Sequence, residues 1–226
     1  MSASKYDLTI FDCDGTLIDT EIVYCEVDCE ALAEVGHRIE LRAYIDRFSG
    51  IAYEEVARQL TAEIGGEVFQ RAHALIKQRL PSAFEQRLRT IDGMAELVAA
   101  VTTPKCVAST SWPETLRNHL GRVGLYDHFA PHVYSATMVA RGKPAPDLFL
   151  HAAKQFGVAP ERCVVVEDSV VGVTAGRAAG MTTVAFLGGG HCGPAHPKIL
   201  RDAGAHAVAR DAAELAALLR GDVPLA

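Results

Sequence analysis

The residues able to do chemistry sit just past short apolar runs. Tyr6 to Phe11 leads into Asp12-Cys13-Asp14-Gly15-Thr16, and Lys105 to Ala108 leads into Ser109. Lys143 follows the run at Val133 and Tyr134, and Arg162 to Val166 leads into Glu167-Asp168. The set is four carboxylates, one hydroxyl and one ammonium. Four acids brought to one crevice repel one another, and a single Lys cannot neutralise them, so a divalent cation is the natural solution. The expected ligands Asp12, Asp14, Glu167 and Asp168 are all oxygen donors without a matching His or Cys cluster, which favours Mg²⁺ over Zn²⁺. In Asp12-x-Asp14 on an extended strand end, both side chains point to the same side. One can attack while the other exchanges protons.

Such residues converge only if the runs are neighbouring strands. Further β-rich runs occur at Thr182 to Phe186 and His206 to Val208. Helical spacing fills most of the gaps: Met94, Leu97, Val98 and Val101; Leu116, Leu120 and Val123; Leu148, Ala152 and Phe156; Leu215, Leu218 and Leu219. Strand alternating with helix implies an α/β fold, a doubly wound, Rossmann-like parallel sheet with helices on both faces. Ligands bind such sheets outside the carboxyl ends of the strands, where the acids lie.

From about Thr20 to Arg87 the alternation stops. Val23, Val27, Ala31 and Val35 make one helical stripe, Val56, Leu60 and Ile64 a second, and Phe69, Ala72, Ile76 and Leu80 a third. This block reads as an inserted helical domain over 20–87, splitting a core of 1–19 and 88–226. The Gly188-Gly189-Gly190 cluster, with Pro194 and Pro197, reads as a surface loop near the end of the sheet.

Composition removes several function classes. With 226 residues, 49% of them hydrophobic and 22% charged, the chain can bury a real core. A net charge of −6 with no basic run argues against nucleic acid. No segment approaches the ~18 apolar residues of a membrane span. Met1 to Phe11 lacks the long apolar region of a signal peptide. Six scattered cysteines do not form a disulfide framework. A cytoplasmic protein, monomeric or weakly dimeric, is expected.

Four segments resemble, in order, the motifs of the haloacid dehalogenase (HAD) superfamily of phosphohydrolases. They are Asp12-Cys13-Asp14-Gly15-Thr16-Leu17-Ile18-Asp19, Val107-Ala108-Ser109, Gly142-Lys143-Pro144-Ala145-Pro146-Asp147 and Val166-Glu167-Asp168-Ser169. The helical block lies where the subgroup with a small helical cap, which includes β-phosphoglucomutase and many sugar phosphatases, carries that cap. The resemblance implies that Asp12 is the nucleophile forming an aspartyl-phosphate and that Asp14 is the acid and base. It implies Mg²⁺ held by Asp12, the Asp14 carbonyl and Asp168, with Glu167 bound directly or through water. Ser109 and Lys143 would hold the phosphoryl group, with Thr16 and Thr110 beside it. The cap loop around Ser49 to Glu54 would choose a small phosphorylated metabolite, a sugar phosphate or a phosphorylated sugar acid such as 6-phosphogluconate. Tyr24 and Tyr53 align with the His and Arg of the mutase, so hydrolysis is preferred to isomerisation, and both are candidate substrate-binding residues.

Simpler readings stand beside these. An Asp-Gly pair after a strand is by itself often only a turn. Ser111 with Glu114 fits a capping box, and Asp19 and Thr20 fit helix caps. Cys25 and Cys29 read as packing residues of a helix, and Cys13 should point away from the metal. His191, Cys192 and His196 read as loop residues near the cleft mouth. Two other classes compete with an enzyme: a receiver-like signalling module with a phosphorylatable Asp, and a non-catalytic phosphate-binding protein. The first would be about half this length, and the pairing of Asp14 with Lys143 argues against the second.

Overall fold

The computed structural model describes residues 5–48, 51 and 53–221. Its centre is a parallel six-stranded sheet: β1 Leu8–Phe11, β2 Lys105–Ser109, β3 Val133–Ser135, β4 Cys163–Glu167, β5 Thr182–Phe186 and β6 Ala207–Ala209. The strand order is β3-β2-β1-β4-β5-β6. Ile10 lies opposite Cys106 on one side and Val165 on the other. Strand order therefore reverses beside β1, and the crevice that opens at such a switch point lies above β1 and β4.

The strands read as unbroken apolar runs because helices cover both faces. Alternate residues sort the core into two layers. Leu8, Ile10, Ala108 and Val165 pack against α7 (Asp147–Phe156) and α8 (Val170–Ala178). Phe11, Val107, Val164 and Val166 pack against α5 (Met94–Ala100), α6 (Pro113–Arg122) and α10 (Ala212–Arg220). Helix α9 (His196–Asp202) precedes β6.

Between β1 and α5 lie four helices: α1 Thr20–Glu34, α2 Leu41–Phe48, α3 Tyr53–Ile64 and α4 Gly66–Arg87. They build two apolar clusters of their own, one around Leu32, Tyr44, Phe48 and Leu60, the other around Ile22, Val27, Ile45 and Ala83. Three of the four follow the expected stripes. Helix α2 was not anticipated, because in eight residues the polar Arg42, Asp46 and Arg47 interrupt the buried Tyr44, Ile45 and Phe48. Cys25 and Cys29 pack against these clusters.

Two capping expectations fail. Trp112, not Ser111, holds the N-cap position of α6, with Pro113 behind it and no side-chain cap bond. Asp19 does precede α1, but its carboxylate caps nothing; it accepts from the Gly190 amide at 3.0 Å. Thr20 is already the first residue of α1 and is buried. In both places a side chain expected to serve its own helix is aimed at the crevice or at the loop beside it. Among the described residues, no helix is long and apolar enough to cross a membrane.

Candidate active site

Asp12 ends the first strand run and Lys143 meets it from the loop after β3. The Lys143 ammonium donates to Asp12 Oδ1 at 2.5 Å and to Glu167 Oε1 at 2.6 Å. Its side chain is only 2% exposed and lies 4.8 Å from the centre of the Phe149 ring. Burial opposes that charge, but attraction from Asp12 and Glu167 outweighs it, so the ammonium titrates above its ordinary value. Glu167 is fixed from the other side as well. Its Oε2 accepts the Asp168 and Ser169 amides, each at 3.0 Å, and the Ser169 hydroxyl at 2.9 Å. Ser169 in turn caps α8 by accepting from the Gly172 amide, and a Cβ on Gly172 would run into the Glu167 carboxylate.

Asp168 is held through both oxygens. Oδ1 accepts from the Thr16 hydroxyl at 2.9 Å, and Oδ2 lies 3.1 Å from His191 Nε2. Gly15, at φ +79°, brings the turn so close that a Cβ there would overlap Asp168 and meet the His191 ring. Burial works against a charged His191, yet its bond to Asp168, with Cys192 beside it, prevails and the pKa is pushed up to about 11. His191 is therefore buried and bound to a candidate metal ligand rather than standing at the mouth. Gly189, also buried, packs under its ring. The loop reading holds at Gly190, Pro194 and Ala195, which are exposed, and is corrected at His191 and His196, which are buried and line the site.

Asp14 turns toward the other side of the crevice. Its Oδ2 accepts from the Ser111 hydroxyl at 2.7 Å and from the Ser109 hydroxyl at 3.3 Å. Ser109 Oγ also accepts the Ser111 amide at 3.1 Å. Thr110 lines the crevice, whereas Thr16 is fully buried behind Asp168 and holds that carboxylate. Cys13 points into the apolar layer with Phe11 and Leu17, and burial pushes its thiol up.

The donor set fits a hard divalent cation. Carboxylate oxygens of Asp12, Glu167 and Asp168 lie within 4.8 Å of one another. Fully ionised, the four acids against Lys143 and a protonated His191 leave two negative charges in the crevice. Burial first, and then the neighbouring carboxylates, hold Asp12 well above its usual range despite Lys143. A divalent cation beside Asp12 and Asp168 would relieve that deficit. His191, Cys192 and His196 form a second convergent group, with His191 Nε2 at 3.6 Å from Cys192 Sγ. There, however, His191 is engaged by Asp168 and His196 Nδ1 accepts the Gly193 amide.

Two cavities meet here. The crevice itself, about 310 Å³, is walled by Asp12, Asp14, Lys143, Asp168 and Thr110. The other, about 520 Å³, lies against α1 and α4, with Tyr24 and Tyr53 in its wall. Glu21 and His191 line both. Of the loop expected at Ser49 to Glu54, Ser49, Gly50 and Ala52 lie outside the described residues. Ser111, read as a helix cap, and His191, read as a residue of the cleft mouth, belong to the site, as does Glu21, which the sequence reading did not single out. For Ser111 a signal was present: it stands two residues past Ser109, within reach of the same partner once the chain bends there.

A model of the haloacid dehalogenase-like hydrolases matches residues 6–180. The 6-phosphogluconate phosphatase of Escherichia coli is 30% identical over 198 residues, 87% of this chain and 90% of that protein. The fructose-1-phosphate phosphatase YqaB of the same organism is 31% identical over 80% of this chain and 96% of its own. A HAD family hydrolase of Deinococcus radiodurans, solved with bound phosphate and sodium, superposes with a TM-score of 0.83 at 32% identity, covering 99% of this chain and 100% of that one. The acids at the switch point and the match across most of the chain agree: this protein belongs to the haloacid dehalogenase-like hydrolases.

Proposed function

We propose that the chain is a Mg²⁺-dependent phosphatase that hydrolyses small phosphate monoesters, sugar phosphates or phosphorylated sugar acids, through an aspartyl-phosphate on Asp12. The observation that carries this reading is the buried Lys143, bonded at once to Asp12 and Glu167 beside a second acid held by two hydroxyls. Asp12 attacks phosphorus, and the bond to the leaving oxygen breaks as that oxygen takes a proton from Asp14. Asp14, now a carboxylate, takes a proton from water, which attacks the same phosphorus and releases phosphate and Asp12. Ser109 and Ser111 keep Asp14 turned to the leaving-group side. Lys143 holds Asp12 in line and offers its charge to the phosphoryl oxygens. Asp12, the Asp14 carbonyl and Asp168 would hold Mg²⁺, which when bound supplies positive charge between the carboxylates and the phosphoryl group. Thr16 and His191 fix Asp168 for that task, and Glu167 fixes Lys143.

The block over 20–87 acts as the cap on a core of 1–19 and 88–226. Tyr24 and Tyr53 line the cavity beneath it and contact the leaving group. The names of the two Escherichia coli relatives support a sugar-phosphate class. A reducing cytoplasm suits the six unpaired cysteines. The test is hydrolysis of p-nitrophenyl phosphate with Mg²⁺ and with a chelator. Turnover that stops on chelation and returns with added Mg²⁺ is expected; no turnover above buffer in either condition overturns the reading.

A further inference from the structure

The cavity beneath the helical block is walled by a stripe of α1. Glu21, Cys25 and Asp28 recur at helical spacing on one face, and all line it. Seven residues along a helix separate the two carboxylates by about 10.5 Å of axis. Glu21 stands at the junction with the catalytic cavity and Asp28 deeper inside. Tyr44, Phe48 and Tyr53 supply aromatic walls.

The charges here are unequal in weight. Burial, with Asp14, Asp19 and Asp168 adding to it against His191, pushes Glu21 up to about 7. Burial also pushes Asp28 up to about 6, with only the Tyr44 hydroxyl, at 2.6 Å from Oδ2, working against it. Among the described residues, Asp28 forms no ion pair, and its hydroxyl partner is Tyr44. His73 is engaged by the Tyr53 hydroxyl at 2.6 Å, and the Lys77 ammonium at the wall is exposed and screened by solvent. His191, which also lines this cavity, is bound to Asp168, so two half-buried acids face one solvated ammonium. Hydroxyl donors would stabilise both carboxylates, whereas a second anion would meet like charge in a poorly screened space.

The geometry points to Glu21 and Asp28 as specificity residues that accept hydroxyl hydrogen bonds from a polyol leaving group and reject one carrying a second anion. This rests on the phosphatase reading and narrows its substrate class to neutral polyol phosphates. The aromatic walls cover the C–H surfaces of such a group, and the acids take its hydroxyls from one side.

A matched pair decides it: D-glucitol 6-phosphate and 6-phosphogluconate, which differ only in a terminal CH₂OH or carboxylate. The parent should favour the hexitol phosphate in kcat/KM by about tenfold or more, the scale of like-charge rejection at a buried contact. Asp28→Asn should narrow that ratio at least about threefold, chiefly through a lower KM for the acid. Should Asp28→Asn not fold, the parent ratio stands on its own and Glu21→Gln supplies the second variant, narrowing the ratio in the same direction. A parent that hydrolyses p-nitrophenyl phosphate yet treats the pair equally, prefers the acid or turns over neither overturns the inference and leaves the phosphatase reading intact. An unchanged ratio in both variants overturns the assignment of the acids. No hydrolysis of p-nitrophenyl phosphate removes the phosphatase reading, and this inference with it.

Discussion

The crevice above β1 and β4 and the cavity beneath the helical block share a wall but are built on opposite terms. In the crevice nearly every charged atom has a fixed partner: Lys143 has two carboxylates, Glu167 four donors, Asp168 a hydroxyl and an imidazole. In the cavity the acids are half-buried with few partners, and most of the wall is rings and aliphatic side chains. A network satisfied through both ends of each group is rigid and intolerant of change. An aromatic cavity with two lightly bonded acids can be retuned by single substitutions. On the proposed function, chemistry is lodged in the tightly bonded part and choice of substrate in the part that single substitutions can retune.

The largest effect that contrast demands is at Asp12. Asp12→Asn keeps the shape and a bond to Lys143 but removes the nucleophile, so kcat should fall by at least about 10³-fold while the far-ultraviolet circular dichroism is kept. Activity within tenfold of the parent would place the covalent step elsewhere.

Asp14→Asn comes next and divides by leaving group. A phosphate monoester of a sugar alcohol needs its oxygen protonated, so its turnover should fall about 10²- to 10⁴-fold. p-Nitrophenyl phosphate, whose leaving group is already a good one, should lose less. Equal losses on both esters would strip Asp14 of its role as acid, whatever its bonds to Ser109 and Ser111.

The same contrast explains what could be read before any coordinates. All six strands were legible because a strand buried on both faces must be a short apolar run, and the acids were legible because each follows such a run directly. Lys143 was legible only as one of a set, since nothing local to Gly142-Lys143-Pro144 shows that it will cross to Asp12. Ser111, Asp19 and His191 were misread for one reason. Ser-x-x-Glu before a helix, Asp before a helix and His in a Gly-rich loop each have a sufficient local explanation. The competing partners, Asp14, the Gly190 amide and Asp168, are 97, 171 and 23 residues away. Glu21 is, by its local sequence, an ordinary acid in the first turn of α1, where the helix dipole welcomes one. Residues distant in sequence make it a wall of two cavities: His73, Ile76 and Lys77 of α4 on one side, Asp168 and the residues after β4 on the other.

The smallest effect belongs to the cavity and is a matter of stability. Asp28 titrates at about 6 in the folded protein against an ordinary 3.8, with burial as the main cause. The folded state thus holds its proton more tightly than the unfolded chain. That contribution is fully present below the ordinary value, declines as pH rises, and is gone above about 6. A shift of this size in a partly solvated group corresponds to about 1–2 kcal/mol. Asp28→Asn removes the titration, and the introduced amide oxygen can still accept the Tyr44 hydroxyl. At pH 7.5 the variant should melt a few degrees above the parent, about 2–4 °C per kcal/mol for a chain of this length. At pH 3, where the carboxyl is largely protonated in both states, the gap should nearly close. An equal gap at both pH values would trace the effect to packing rather than charge. No gap at pH 7.5 would mean that Asp28 is solvated as well as any surface carboxylate, and the distinction between a satisfied crevice and a charge-strained cavity would then lose its clearest member.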